Sequence, residues 1–152
     1  MIEIYIVFVA GIPREYFNFI INTEAHKIKR TRFADPLAIA RKFNVPDDAF
    51  ETPWEELSAS IHQRLMLTIA LACRPEVLLL DEPTSQQDAN VAHLIERTIR
   101  SLGLSVIWMT QDVYQAERVA DTVLEFSALT HVDPQECSFF FHPTISRVIG
   151  GM

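Results

Sequence analysis

The sequence predicts an α/β fold of parallel strands with flanking helices, and three observations predict it. Short apolar runs of strand length recur at 77–81, 105–110 and 122–126. Longer amphipathic stretches of helical period lie beside them at 59–73, 88–102 and 113–120. Each helical stretch opens on a serine or aspartate that can cap it, and the first two close on proline or glycine. Strands that alternate with helices pair in parallel, because a parallel crossover needs a dozen or more residues and a helix supplies them.

Along the chain, MIEIYIVFVA suits a strand over residues 2–10 and extends the sheet. Gly11, Pro13, Arg14 and Glu15 interrupt it long before the roughly 18 apolar residues that a membrane span requires. With no basic residues before it, this opening does not read as a signal peptide. Asn22 to Arg32 is polar and basic, with Lys27, Lys29, Arg30 and Arg32 close together, and reads as a solvated face. Asp35-Pro36 starts a helix containing apolar Leu37, Ile39, Ala40 and Phe43, and Asn44 to Pro53 reads as loop.

The pattern sharpens from Leu57. Ser58 or Ser60 caps a helix with the body IHQRLMLTIALAC, closed by Arg74-Pro75. VLLL follows as a strand expected to be buried on both faces, and Asp81-Glu82-Pro83 ends it. Asp88 caps the helix NVAHLIERTIRSL, which Gly103 stops. LSVIWMT is the next strand, Asp112 caps VYQAERVA, and TVLEF is the last strand. Beyond Ser127 the periodicity is lost, and the tail SFFFHPTISRVIGGM is left without an element. The chain therefore divides into a poorly assigned segment 1–33, a half domain 34–126 and an unassigned tail 127–152.

Composition narrows the function classes. A chain of 152 residues suffices for one domain with a core, and its net charge of -7 argues against a nucleic-acid surface driven by bulk charge. Two cysteines, Cys73 and Cys137, make no disulfide framework and no C-x-x-C metal pair, so Cys73 reads as a reduced core thiol. His62 and His93 lack a ligand partner at i+4 and read as structural, as do Trp54 and Trp108.

The acids after VLLL carry the chemistry. Ligands of open α/β sheets bind at the carboxyl ends of strands, where Asp81 and Glu82 lie. An aspartate there can hold Mg²⁺, a cation that prefers hard oxygen ligands. The adjacent glutamate can polarise a water for attack on a phosphoryl group. Two acids after a strand are also common as plain loop solvation, so the pair is weak evidence without context.

Context comes from three motifs. LLLDEPTSQQD resembles the Walker B segment and D-loop of ATP-binding cassette (ABC) ATPases, whose usual form is LLLDEPTSALD. LSASIHQR resembles the family signature LSGGQxQR, with Leu57, Ser58, Gln63 and Arg64 in register. VIWMTQDVYQAERVAD resembles the switch segment, usually VTHD followed by a helix that ends at Ala-Asp. The resemblance covers about residues 34–126 and implies a partial P-loop NTPase-type layered sheet. It implies that Asp81 binds magnesium, that Glu82 is the general base, and that Gln111 stands at the switch position. It implies Asp88 at a dimer seam, and Ser58, with Ser60 beside it, holding the γ-phosphate of a nucleotide on a partner subunit. ATP and Mg²⁺ are the implied cofactors. The implied partners are a second nucleotide-binding domain and a membrane-spanning transporter subunit. The expected location is the cytoplasm, at the membrane surface through that subunit, with no direct nucleic-acid contact.

The departures are specific. The signature glycines are Ala59 and Ser60, the signature glutamine is Ile61, and the switch histidine is Gln111. Glutamine can donate a hydrogen bond to a phosphate but cannot carry an imidazolium charge. No G-x-x-x-x-G-K-[ST] loop is present, because none of Gly11, Gly103, Gly150 and Gly151 precedes a lysine. No Q-loop glutamine precedes the signature. The expectation is a truncated cassette that does not hydrolyse ATP alone. The alternative is a non-catalytic interaction subunit that completes a partner cassette's composite site.

Overall fold

The computed structural model describes residues 11–24, 32–126 and 146–150. The expected strand 2–10, Lys27, Lys29 and Arg30, and the tail up to 145 lie outside the described residues. Five α-helices and four strands follow in chain order among those described.

Helix α1, Pro13–Ile21, is an element that periodicity does not announce. It starts for local reasons. Pro13 sits in the first turn with its φ preset, and the Glu15 carboxylate accepts from the Ile12 N–H at 3.3 Å. Helix α2, Pro36–Lys42, has Asp35 at its start accepting from the Leu37 N–H at 3.0 Å. The stretch expected as loop contains a 3₁₀ turn, Asp47–Phe50, and a second turn follows at Trp54–Glu56. Both bury apolar side chains, Ala49 and Phe50 in the first and Trp54 in the second. Hydrophobic burial turns this loop into packed structure.

Helix α3, Ala59–Ala72, starts at Ser58, whose Oγ accepts from the Ile61 N–H at 3.3 Å. Every residue from Arg64 to Ala72 is buried, so this helix is enclosed on all sides rather than on one stripe. It packs against α2. Arg64 ties the two together, donating from one terminal nitrogen to the Phe43 and Asn44 carbonyls at 2.8 Å each. Those carbonyls end helix α2, and a buried guanidinium satisfies groups that would otherwise be orphaned. The helix closes at Arg74, which takes a left-handed φ of 49°. Cys73 beside it is buried, and burial pushes its thiol up to about 11, as expected of an inert core cysteine.

Strand β1 is Val77–Asp81, helix α4 Ala89–Ser101, strand β2 Ser105–Met109, helix α5 Val113–Val119 and strand β3 Thr122–Phe126. Asp88 and Asp112 cap α4 and α5, each accepting from two N–H groups at 2.9 and 3.1 Å. Gly103 adopts φ 63° just past α4, the left-handed stop that glycine takes without strain.

Two outcomes differ from the sequence expectation. Strand β4, Ser146–Gly150, lies within the tail that carried no readable period, and it is a central strand. The sheet runs β1-β2-β4-β3, with all pairs parallel. Ile107 to Met109 face Ser146 to Val148 on one side, and Thr122 to Phe126 face Ser146 to Gly150 on the other. The crossover from β2 through α5 to β3 therefore skips one position, which a segment far along the chain fills. Pairing across that distance leaves no local signature.

The second difference concerns β1. Leu78 and Leu80 are buried, in register with buried Val106 and Trp108 of β2. The opposite face is only partly covered. Val77 is 38% exposed, and Leu79, Ile107 and Met109 are only partly buried. The expectation of burial on both faces is met in part, because only the Leu78–Leu80 face joins the common core with α3 and α4 among the described residues.

Candidate functional site

The site residues collect at the carboxyl edge of β1 and β2. Asp81 ends β1 with an exposed side chain, and Glu82 follows at φ 42°. A left-handed φ at a glutamate is uncommon and costs about 1–3 kcal/mol, so surrounding bonds must hold it. They are present. The Glu82 N–H donates to the Met109 carbonyl at 3.0 Å, which fastens the acid turn to the end of β2. The Glu82 carboxylate accepts from the Gln111 N–H at 2.7 Å and from the Thr110 hydroxyl at 3.3 Å. Strained backbone and a short charge-assisted bond thus aim one carboxylate at the loop between β2 and α5.

The start of α3 reaches the same turn. Gln63 Nε2 donates to the Glu82 carbonyl at 3.0 Å and to Ser85 Oγ at 3.2 Å. Its Oε1 accepts from the Gln86 N–H at 3.2 Å and from Gln87 Nε2 at 2.9 Å. Gln87 also accepts the Ser60 hydroxyl at 2.8 Å and donates to the Ser60 carbonyl at 3.0 Å. An amide lattice therefore locks the first turn of α3 to the loop between β1 and α4. In this arrangement the Ser60 proton is directed at Gln87. Ser58 uses only its oxygen as a cap, which leaves its O–H free to donate.

The predicted residues fall into two groups. Glu82 and Gln111 touch directly, and Ser60 joins the Glu82 turn through Gln87 and Gln63. Asp88 is occupied as a helix cap. Gln63 and Gln87 are the residues that sequence reasoning left without a role; their signal was an amide in the motif helix facing amides in the motif loop. Behind the site lies a buried network that sequence also missed. Gln115 donates to Thr84 at 2.6 Å and to Glu96 at 2.8 Å, and accepts from Trp108 Nε1 at 3.2 Å. Arg118 donates to both Glu96 oxygens at 3.0 Å. Burial pushes the Glu96 carboxyl up, but hydrogen bonds from Arg118, Gln115 and His93 outweigh it and leave the group below its usual value.

The family model described as ABC transporter matches residues 13–85. That span begins before, and ends short of, the 34–126 read from the motifs. The phosphate import ATP-binding protein PstB 2 of Mycobacterium tuberculosis is 35% identical over 147 residues, covering 89% of this chain and 53% of the relative. The corresponding PstB of Mycobacterium intracellulare is 38% identical over 117 residues, covering 72% of this chain and 41% of the relative. The chain belongs to the ABC transporter family.

The chain spans about half the length of these curated ABC relatives. Solved ABC cassettes share its fold. The dimeric structure of the bacterial ABC transporter cassette MJ0796 matches with a TM-score of 0.51 at 20% identity, covering 70% of this chain and 47% of that one. A dimeric post-hydrolysis state of the same cassette, bound to ADP and Pi, matches with a TM-score of 0.53 at 20% identity, covering 72% and 50%. The fold is part of that of a P-loop NTPase-type cassette, with parallel strands and flanking helices. Among the described residues, no helix is long and apolar enough to cross a membrane.

Proposed function

We propose that these 152 residues supply the signature helix and the acidic half of an ABC-type ATP site. They do not hydrolyse ATP alone and take the phosphate-binding loop from outside these residues. The observation that carries this reading is the Glu82 carboxylate bonded to the Gln111 N–H at 2.7 Å, on a turn that Gln63 ties to the signature helix. Asp81 holds Mg²⁺ through water, a role its exposed carboxylate at the strand end supports. Glu82 is the general base, and the Gln111 amide donates to the γ-phosphate. Ser58 offers its hydroxyl, with the free N–H groups of the α3 start, to the γ-phosphate of a nucleotide on a second cassette. Asp88 sits at the seam between the two. A membrane-spanning transporter subunit completes the assembly on the cytoplasmic side.

A second reading has its own support. The Ser60 hydroxyl, the compensating donor where the family has glycine, is directed at Gln87. A signature turn so engaged suits a subunit that completes a partner's site without turnover of its own.

The test uses a complete cassette whose own acids and phosphate-binding loop are intact, mixed with this chain, and follows stimulated ATPase rate. A charge-assisted hydrogen bond is worth about 1.5–3 kcal/mol, so Ser58→Ala is expected to lower the stimulated rate about ten- to a hundredfold. Glu82→Gln is expected to change it little if the second reading holds, and as much as Ser58→Ala if Glu82 is the base. Isothermal titration of the chain alone with Mg-ATP is expected to show weak or no binding. A dissociation constant near 1 μM, about -8 kcal/mol, would mean the phosphates are held by groups not recognised in this sequence.

A further inference from the structure

A cavity of about 490 Å³ opens between α4 and α5, lined by Asn90, His93, Glu96, Arg97, Arg100 and Arg118. The helical period puts Asn90, His93, Arg97 and Arg100 on one stripe of α4, and Arg118 faces them from α5. Three guanidinium groups around one cavity stand out in a chain of net charge -7.

Three carboxylates, Glu96, Asp112 and Asp121, stand against the three guanidinium groups, and they leave Arg97 without a partner among the described residues. Glu96 and Arg118 neutralise each other through two bonds of 3.0 Å. Arg118 also has Asp112 at 4.0 Å. Arg100 donates to the Arg118 carbonyl and has Asp121 at 3.7 Å, too long for a firm hydrogen bond. Arg97 is exposed and makes no hydrogen bond or ion pair among the described residues. Arg97 and Arg100, three apart on one helix, repel each other, and an anion between them removes that cost. Five N–H donors in a fixed fork match the oxygens of a phosphate or carboxylate.

His93 separates these candidates. Its Nδ1 lies 3.2 Å from Glu96 Oε2. An ionised carboxylate only accepts, so Nδ1 carries the proton, and in the neutral ring Nε2 is an acceptor. A ligand that fits must accept from arginine and donate to Nε2. A phosphate bearing a P–OH does both, whereas sulfate and carboxylate do not donate.

We propose that this cavity binds inorganic phosphate as its hydrogenphosphate ion, which keeps one P–OH where the histidine ring is neutral. Arg97 and Arg100 take its charged oxygens, the Asn90 amide adds a donor, and His93 Nε2 receives the P–OH. The volume lies within the range of small-molecule sites, about 300–1,000 Å³. This site shares no residue with the nucleotide site proposed above, and either can fail without the other.

The test is titration of the full chain with inorganic phosphate, glycerol phosphate and sulfate, above the ordinary histidine range, read by NMR at the arginine Nε–H groups and the His93 ring. Saturable shifts at Arg97, Arg100 and His93 are expected with phosphate, and sulfate is expected to bind at least about tenfold more weakly, the loss of one hydrogen bond. Arg97→Ala is expected to weaken phosphate about tenfold or more, while the distant Arg14→Ala leaves it unchanged. Glycerol phosphate, a dianion without a P–OH at that pH, is expected to bind about as weakly as sulfate, and binding as tight as that of inorganic phosphate would overturn the P–OH contact. Shifts that stay linear in salt, that persist in Arg97→Ala, or that sulfate reproduces at equal strength would overturn the proposal.

Discussion

Glu82 at the end of β1 and Glu96 in the middle of α4 are both hydrogen-bonded glutamates, yet the fold treats them in opposite ways. Glu96 is 3% exposed, with each oxygen matched by donors from Arg118, Gln115 and His93. Glu82 stands at the mouth of the sheet, held by two donors from the Thr110–Gln111 turn and by a strained φ of 42°. The buried acid meets permanent partners and joins α4 to α5. The acid at the mouth keeps capacity to accept further hydrogen bonds, as a group that meets water and substrate must. Pairing fixes structure; incomplete pairing, supported by strain, leaves chemistry available.

The comparison breaks most visibly at Glu96. Glu96→Ala leaves Arg118 without its carboxylate and Gln115 with Thr84 as its remaining acceptor, so it is expected to cost about 3 kcal/mol, the low end for a broken buried pair because Arg118 reaches water. Denaturant unfolding measures it. The same group sets an acid limb. Its folded carboxyl lies below the ordinary value near 4.3, so its contribution is complete above that value and is lost as pH falls through the lower folded value. Melting temperature is expected to drop across that window, and Glu96→Gln is expected to flatten the drop.

Between the two acids lies the amide lattice. Gln63→Ala removes donors to Glu82 and Ser85 and an acceptor for Gln86 and Gln87. The turn is partly solvated, so water replaces some of these bonds and the stability cost is expected to be about 1 kcal/mol. The stimulated ATPase rate is expected to fall by more than this stability loss explains, because the turn that aims Glu82 loosens. The smallest effect is expected at Glu82 itself. Glu82→Gln keeps an oxygen for the Gln111 N–H, and unfolding free energy is expected to stay within about 0.5 kcal/mol. A larger loss would mean that Glu82, like Glu96, is chiefly structural.

Much of the frame was legible because its signals are local. Ser58, Asp88 and Asp112 cap the helices they were expected to cap, and Gly103 stops the helix it was expected to stop. Three parallel strands lie where apolar runs placed them. Helix α1 was missed because its start depends on Pro13 and a Glu15 bond rather than on a long amphipathic period. Glu82 and Gln111 each carry a role that the motifs imply, but the contact between them runs through the Gln111 backbone N–H, which no side-chain pattern encodes.

Sequence by itself determined the element types and the order of motifs, since capping, period and turn chemistry act between residues a few positions apart. Tertiary structure alone decided three things. It inserted Ser146–Gly150 between β2 and β3, left one face of β1 only partly buried, and turned Gln115, Thr84 and Glu96 into one network. Each joins residues 19 or more positions apart or depends on which surface reaches the core. Such pairings become favourable only after the chain has closed the intervening loop, so the local sequence carries no mark of them.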